Sequence, residues 1–123
     1  MKCIITIELG TNGVRVFAYD LSGRVIGSMK GYYPTFHTEP DHSEQDPEQI
    51  FITTLYVLKN LLNEYIHPKK YKCACVCFSA AMHSLLAVDN NGNPLLASIG
   101  ALKRQLVRGV HRLIGAVQAA VRR

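Results

Sequence analysis

The stretch Cys3-Ile4-Ile5-Thr6-Ile7-Glu8-Leu9-Gly10-Thr11-Asn12-Gly13-Val14-Arg15-Val16-Phe17-Ala18-Tyr19-Asp20 pairs an apolar, β-branched run with a second run in which apolar and polar residues alternate. The Gly10 to Gly13 turn between them contains Asn-Gly, the commonest short hairpin signal, so the chain is expected to begin with a β-hairpin. Asp20-Leu21-Ser22-Gly23 turns the chain again, and residues 24–32 read as the third strand of an antiparallel meander. Pro34, Pro40 and Pro47 then bracket a polar segment without periodicity, expected to be an ordered surface loop.

Beyond Pro47 the pattern changes period. Ile50, Leu55, Leu58, Leu61, Leu62 and Tyr65 recur at helical steps, with Asp46 suited to the N-cap and Pro47 to the first helical position. One helix is expected to run to His67-Pro68. Residues 72–78 read as a fourth strand, and residues 85–88 and 95–97 flank Asn90-Asn91-Gly92-Asn93 as a short hairpin. The class is α/β.

With 123 residues and 48% hydrophobic content, the chain is sized for one domain with a small core. No apolar run approaches the roughly 18 residues of a membrane span, and Glu8 interrupts the N-terminal run too early for a signal peptide. A cytoplasmic location is the expectation. The net charge of +5 is local to the tail. Lys103, Arg104, Arg108, Arg112, Arg122 and Arg123 lie in residues 101–123 without a single acid, and the rest is near neutral. Leu102, Leu106, Val110, Leu113, Val117 and Val121 fall on one helical face of that tail, opposite Arg104, Arg108, Arg112 and Gln118, a basic amphipathic helix.

Cys73, Cys75 and Cys77 alternate along the fourth strand. Strict alternation places all three on one face, and no Cys-x-x-Cys pair supplies a chelating turn, so reduced, buried thiols serving as small core hydrophobes are expected rather than a metal site.

Three segments, in order and spacing, resemble the N-terminal half-domain of the FGGY carbohydrate kinases. They are Glu8-Leu9-Gly10-Thr11-Asn12-Gly13-Val14-Arg15, Glu39-Pro40-Asp41-His42-Ser43-Glu44-Gln45-Asp46-Pro47, and Phe78-Ser79-Ala80-Ala81-Met82-His83-Ser84-Leu85. The Ser-Ala-Ala-Met-His-Ser wording is closest to gluconate kinases within that family. The resemblance covers residues 1–99. After Pro94-Leu95-Leu96 the family pattern has Trp-Ala-Asp-x-Arg, where this chain has Ser98-Ile99-Gly100-Ala101-Leu102-Lys103-Arg104. Residues 100–123 therefore read as a separate tail, a fusion or rearranged end, on a truncated kinase half-domain.

The resemblance implies a ribonuclease-H-like fold of the actin, hexokinase and sugar-kinase superfamily. It implies ATP and Mg²⁺ as cofactors and a sugar or sugar acid as substrate. Gly10, Thr11, Asn12 and Gly13 would form the phosphate turn, whose backbone N–H groups suit phosphate. Glu8 stands where the family usually has Asp and would lie on the Mg²⁺ side, one methylene longer. Met82 and His83 would line the sugar cleft, the imidazole bonding hydroxyls beside an apolar thioether wall, with Gln45 near the same cleft. Each position has a plainer reading. The turn alone is an ordinary hairpin, a histidine after a strand is ordinarily structural, and Asp46 beside Gln45 serves equally as a helix cap.

The family's catalytic base and adenosine pocket lie beyond residue 123, so no residue here is assigned as catalytic and the isolated chain is expected not to turn over. A second reading makes the kinase piece a non-catalytic scaffold whose tail helix binds an anionic membrane or nucleic acid. For the tail, packing on the open sheet or self-association into a homo-oligomer is preferred to nucleic acid, because exposing six aliphatic side chains is costly.

Overall fold

The computed structural model describes residues 1–37, 44–81, 86 and 88–93. Four strands form one mixed sheet in the order β3-β2-β1-β4, with β1 at Lys2–Leu9, β2 at Gly13–Asp20, β3 at Val25–Tyr32 and β4 at Lys72–Ala80. The meander expected over β1, β2 and β3 is present, with both pairs antiparallel. β4 returns on the other side of β1 and pairs with it in parallel. A parallel partner cannot be reached by a tight turn, and the connection between β3 and β4 carries the helix α1, Pro47–Leu61.

One face of the sheet makes the core. Cys3, Ile5 and Ile7 of β1 and Val14, Val16 and Ala18 of β2 are buried there beneath Val57, Leu58, Leu61, Leu62 and Ile66. Asp46 caps α1 by accepting from Glu48 N at 2.9 Å, with Pro47 in the first turn where its missing N–H costs nothing. Thr54, fully buried among these aliphatics, satisfies its hydroxyl by donating to Ile50 O at 2.7 Å. α1 and the turn that continues it approach β3 closely because two glycines make room. A Cβ at Gly31 would stand 2.5 Å from Val57, and one at Gly27 would stand 2.3 Å from the Tyr65 ring.

The helix does not run unbroken to His67-Pro68. From Leu62 to Ile66 it widens into a π-helical turn, in which His67 N bonds Leu62 O at 2.9 Å and Tyr71 N bonds Ile66 O at 3.1 Å. The wider turn buries Leu62 and Ile66 while Tyr65 lies over Gly27. Pro68, with no N–H, follows directly.

β4 departs from the sequence expectation. A bulge opposite the Cys3/Ile4 step leaves Ala74 outside the register, so Cys73 pairs with Cys3 while Cys75 pairs with Ile4 and Cys77 with Thr6. The extra residue reverses the phase of the strand. Cys73 packs against the core and burial pushes its thiol above the ordinary range, whereas Cys75 and Cys77 are exposed on the opposite face. The three thiols thus do not share a face; Cys73 is half-buried and the other two are exposed.

The Asn90-Asn91-Gly92-Asn93 turn is formed. Asp89 N bonds Asn93 O at 2.9 Å, Gly92 has a φ of 89°, and the Asp89 carboxylate accepts from Asn91 N and Asn93 N at 2.8 Å each. The strand expected at 95–97 and the amphipathic tail at 101–123 lie outside the described residues.

Replacing Gly31 by Ala is expected to destabilise the fold by about 1–3 kcal/mol through overpacking. Gly23, whose Cβ would meet nothing but whose φ is 85°, is expected to lose only about 1 kcal/mol on the same change. Equilibrium urea unfolding followed by circular dichroism measures both; a Gly31→Ala midpoint equal to the parent's would contradict the packing described.

Candidate functional site

The parallel pairing of β1 and β4 brings their C-terminal ends together. Ala81 N donates to Leu9 O at 2.8 Å, so the chain leaves β4 immediately beside the turn that follows β1. Ligands of open sheets that contain parallel strands gather at such carboxyl ends. Met82 and His83, the next residues, lie outside the described residues.

The Gly10 to Gly13 turn is closed by Gly10 N donating to Gly13 O at 2.9 Å. It is not the usual Asn-Gly hairpin turn. Neither Asn12 nor Gly13 has a positive φ. Gly13 is glycine for a different reason, since a Cβ there would stand 2.3 Å from the Gly31 carbonyl oxygen across the β2–β3 pair.

Three side chains absent from the turn itself hold its carbonyls. The Tyr33 hydroxyl is shared between Gly10 O at 2.5 Å and Gly13 O at 3.0 Å. Gln45 donates through Nε2 to Thr11 O and to Thr35 Oγ1, the latter at 3.0 Å, and Thr35 Oγ1 itself donates to Thr11 O at 3.3 Å. Gln45 is placed for this by a bridge in which Phe36 and Glu44 exchange backbone bonds of 2.8 Å. A trans peptide holds each C=O opposite to the N–H that follows it. With the Gly10 and Thr11 carbonyls drawn toward Tyr33 and Gln45, the amides of Thr11 and Asn12 are directed away from them, at an exposed tip.

Glu8 lies on the face opposite the core, two residues before the turn, with its carboxylate 3.4 Å from Arg15 Nε. Both side chains are well exposed, so the pair is screened and adds little stability. Among the sequence-derived site residues, the structure brings together the turn and Gln45, with Glu8 at the adjacent strand end. Tyr33 and Thr35 were not singled out by sequence reasoning. Their only signal was position, directly after an alternating strand and flanking Pro34.

Tyr33 is buried, and burial pushes its hydroxyl up to about 12, above the ordinary tyrosine value of about 10. The folded state therefore favours the protonated phenol. Its contribution is full below about pH 10, the unfolded value, and is lost as pH rises through about 12. Tyr33→Phe is expected to cost about 1–3 kcal/mol by leaving carbonyls unpaired. The loss measured by urea unfolding should shrink across that alkaline window; a pH-independent difference would show that the hydroxyl does not titrate as the burial implies.

The sequence model of the FGGY family of carbohydrate kinases, N-terminal domain, matches residues 3–120. A xylulose kinase of Staphylococcus xylosus is 35% identical over 99 residues, covering 80% of this chain and 20% of that protein. A gluconokinase of Bacillus subtilis is 29% identical over 96 residues, covering 78% and 18%. Among solved structures, a gluconate kinase from Lactobacillus acidophilus superposes with a TM-score of 0.72 at 28% identity, covering 80% of this chain and 19% of that one. A ligand-bound xylulose kinase from the same organism gives the same figures. The chain spans about a fifth of the length of the curated relatives it matches. From the mixed sheet, the turn after β1 and these matches together, the chain belongs to the FGGY family of carbohydrate kinases, in the region of that family's N-terminal domain.

Proposed function

We propose that these residues form the phosphate-facing turn and one wall of the sugar cleft of an ATP-dependent carbohydrate kinase. The parent reaction transfers the ATP γ-phosphoryl group to a hydroxyl of a sugar or sugar acid. The observation that carries this reading is the orientation of the Gly10 to Gly13 turn, whose carbonyls are held from behind by Tyr33 and Gln45. Amides preorganised in this way stabilise phosphate charge without having to reorganise.

Glu8 fits a Mg²⁺ role as one ligand among phosphate oxygens, because its exposed carboxylate lies near the end of β1 and, among the described residues, is paired with a solvent-accessible arginine. Bound there, Mg²⁺ would neutralise charge on the phosphates. Thr11 and Asn12 offer backbone N–H groups to phosphate, and Gln45 keeps the turn in place. Met82 and His83, directly after the β4 end, are assigned to the sugar, the imidazole as hydrogen-bond partner of a hydroxyl. The wording around Met82-His83 favours gluconate, while relatives named as xylulose kinases make a pentulose the competing substrate.

A coupled assay of ATP consumption with gluconate and xylulose on this 123-residue chain is expected to show no turnover, since no carboxylate here is assigned as the base. Direct titration with each sugar, followed by NMR, tests the half-site. Gluconate should bind more tightly than xylulose, and His83→Ala should weaken it about tenfold or more. Turnover by the chain would overturn the half-site reading, and sugar binding unchanged in His83→Ala would overturn the assignment of His83.

A further inference from the structure

The bulge in β4 sorts four cysteines into two pairs. Cys3 and Cys73 are neighbours on the core face, where burial pushes the Cys3 thiol up to about 11. Cys75 and Cys77 stand together on the opposite face, exposed, with their sulphurs 3.6 Å apart. The kinase reading uses neither pair.

Strand geometry restricts what the exposed pair can do. Residues two apart on a strand are separated by about 6.6–6.8 Å. That spacing stands at the upper limit for the Cα atoms of a disulfide, whose Cβ atoms must approach to about 3.5–4.5 Å, so a direct bond between Cys75 and Cys77 is disfavoured while β4 stays paired to β1. A single bridging atom suits them. Two thiolates at about 2.3 Å from a tetrahedral metal ion stand roughly 3.8 Å apart, close to the separation observed here. The pairing of β4 with β1 over Lys2 to Leu9 holds the two Cys backbones, so the chelate forms without ordering a loop. Thr6, in register with Cys77, adds an unusual neighbour, because its hydroxyl oxygen is buried and has no hydrogen-bond partner among the described residues.

We propose that Cys75 and Cys77 form a dithiolate site for one thiophilic d¹⁰ metal ion, its remaining coordination positions open to water or a small ligand. Binding forms two sulphur–metal bonds and releases two thiol protons to solvent, with no change of oxidation state. Hard ions such as Mg²⁺ do not compete, since thiolate is a soft ligand. The site lies on the sheet face opposite the core, apart from the Gly10 to Gly13 turn, and does not depend on the kinase reading.

The test is titration of the full chain with Cd²⁺ in the presence of excess Mg²⁺, following the thiolate-to-metal charge-transfer absorbance and proton release. One Cd²⁺ per chain is expected. Cys75→Ser and Cys77→Ser should each weaken binding by about a hundredfold or more, because each removes the intramolecular advantage of the second thiolate. Both positions are exposed, so circular dichroism should show these variants folded. Cys73→Ser should leave the affinity unchanged. No charge-transfer band in the parent chain, or a band of equal affinity in either exposed-site variant, would overturn the proposal. If Cys73→Ser fails to fold, alkylation of the native chain decides the same point, since modifying the exposed thiols alone should abolish the band, and a surviving band would overturn the site.

Discussion

β1 is hydrogen-bonded along both edges, and that requirement organises everything else. Its backbone groups lie in the interior, where unpaired donors and acceptors are costly, so strands must flank it on both sides. β2 satisfies one edge through a short turn. The other edge takes β4 in parallel, which obliges the chain to cross the sheet and makes α1 the cover of the core. The same parallel pairing places the residue after β4 beside the turn after β1. The candidate site therefore follows from strand direction.

Much of this was legible in the sequence where local physics acts alone. The alternation in residues 14–19 and the apolar run before it specified the hairpin, and Asp46-Pro47 specified the start of the helix. Features that need a partner elsewhere in the chain were not legible. Gly13, Gly27 and Gly31 are glycines because another segment comes within 2.3–2.5 Å of their missing Cβ atoms, and nothing local announces that. The ties from Tyr33 and Thr35 to the turn span 20 to 24 positions of sequence. Nor does the local sequence announce the widened turn at Leu62 to Ile66, within which Tyr65 lies over Gly27.

The cysteines show how a correct local rule fails. Period-two alternation holds for β4 on either side of Ala74, but one unpaired residue exchanges the faces between them. Three thiols that look equivalent in the sequence thereby acquire two chemistries. Cys73 behaves as a small core residue beside Cys3, and Cys75 and Cys77 meet solvent.

Tyr33, Thr35 and Gln45 all hang from the segment that follows β3, an outermost strand of the described sheet. Outermost strands fray first, with opening free energies well below that of global unfolding. Fraying of the β3 end would loosen the ties from Tyr33 and Thr35, which follow it directly, whereas Gln45 adjoins the Asp46 cap of α1. The order of the turn is thus coupled to the end of a neighbouring strand, and the short Phe36–Glu44 bridge joins the stretch that carries Tyr33 and Thr35 to the one that carries Gln45.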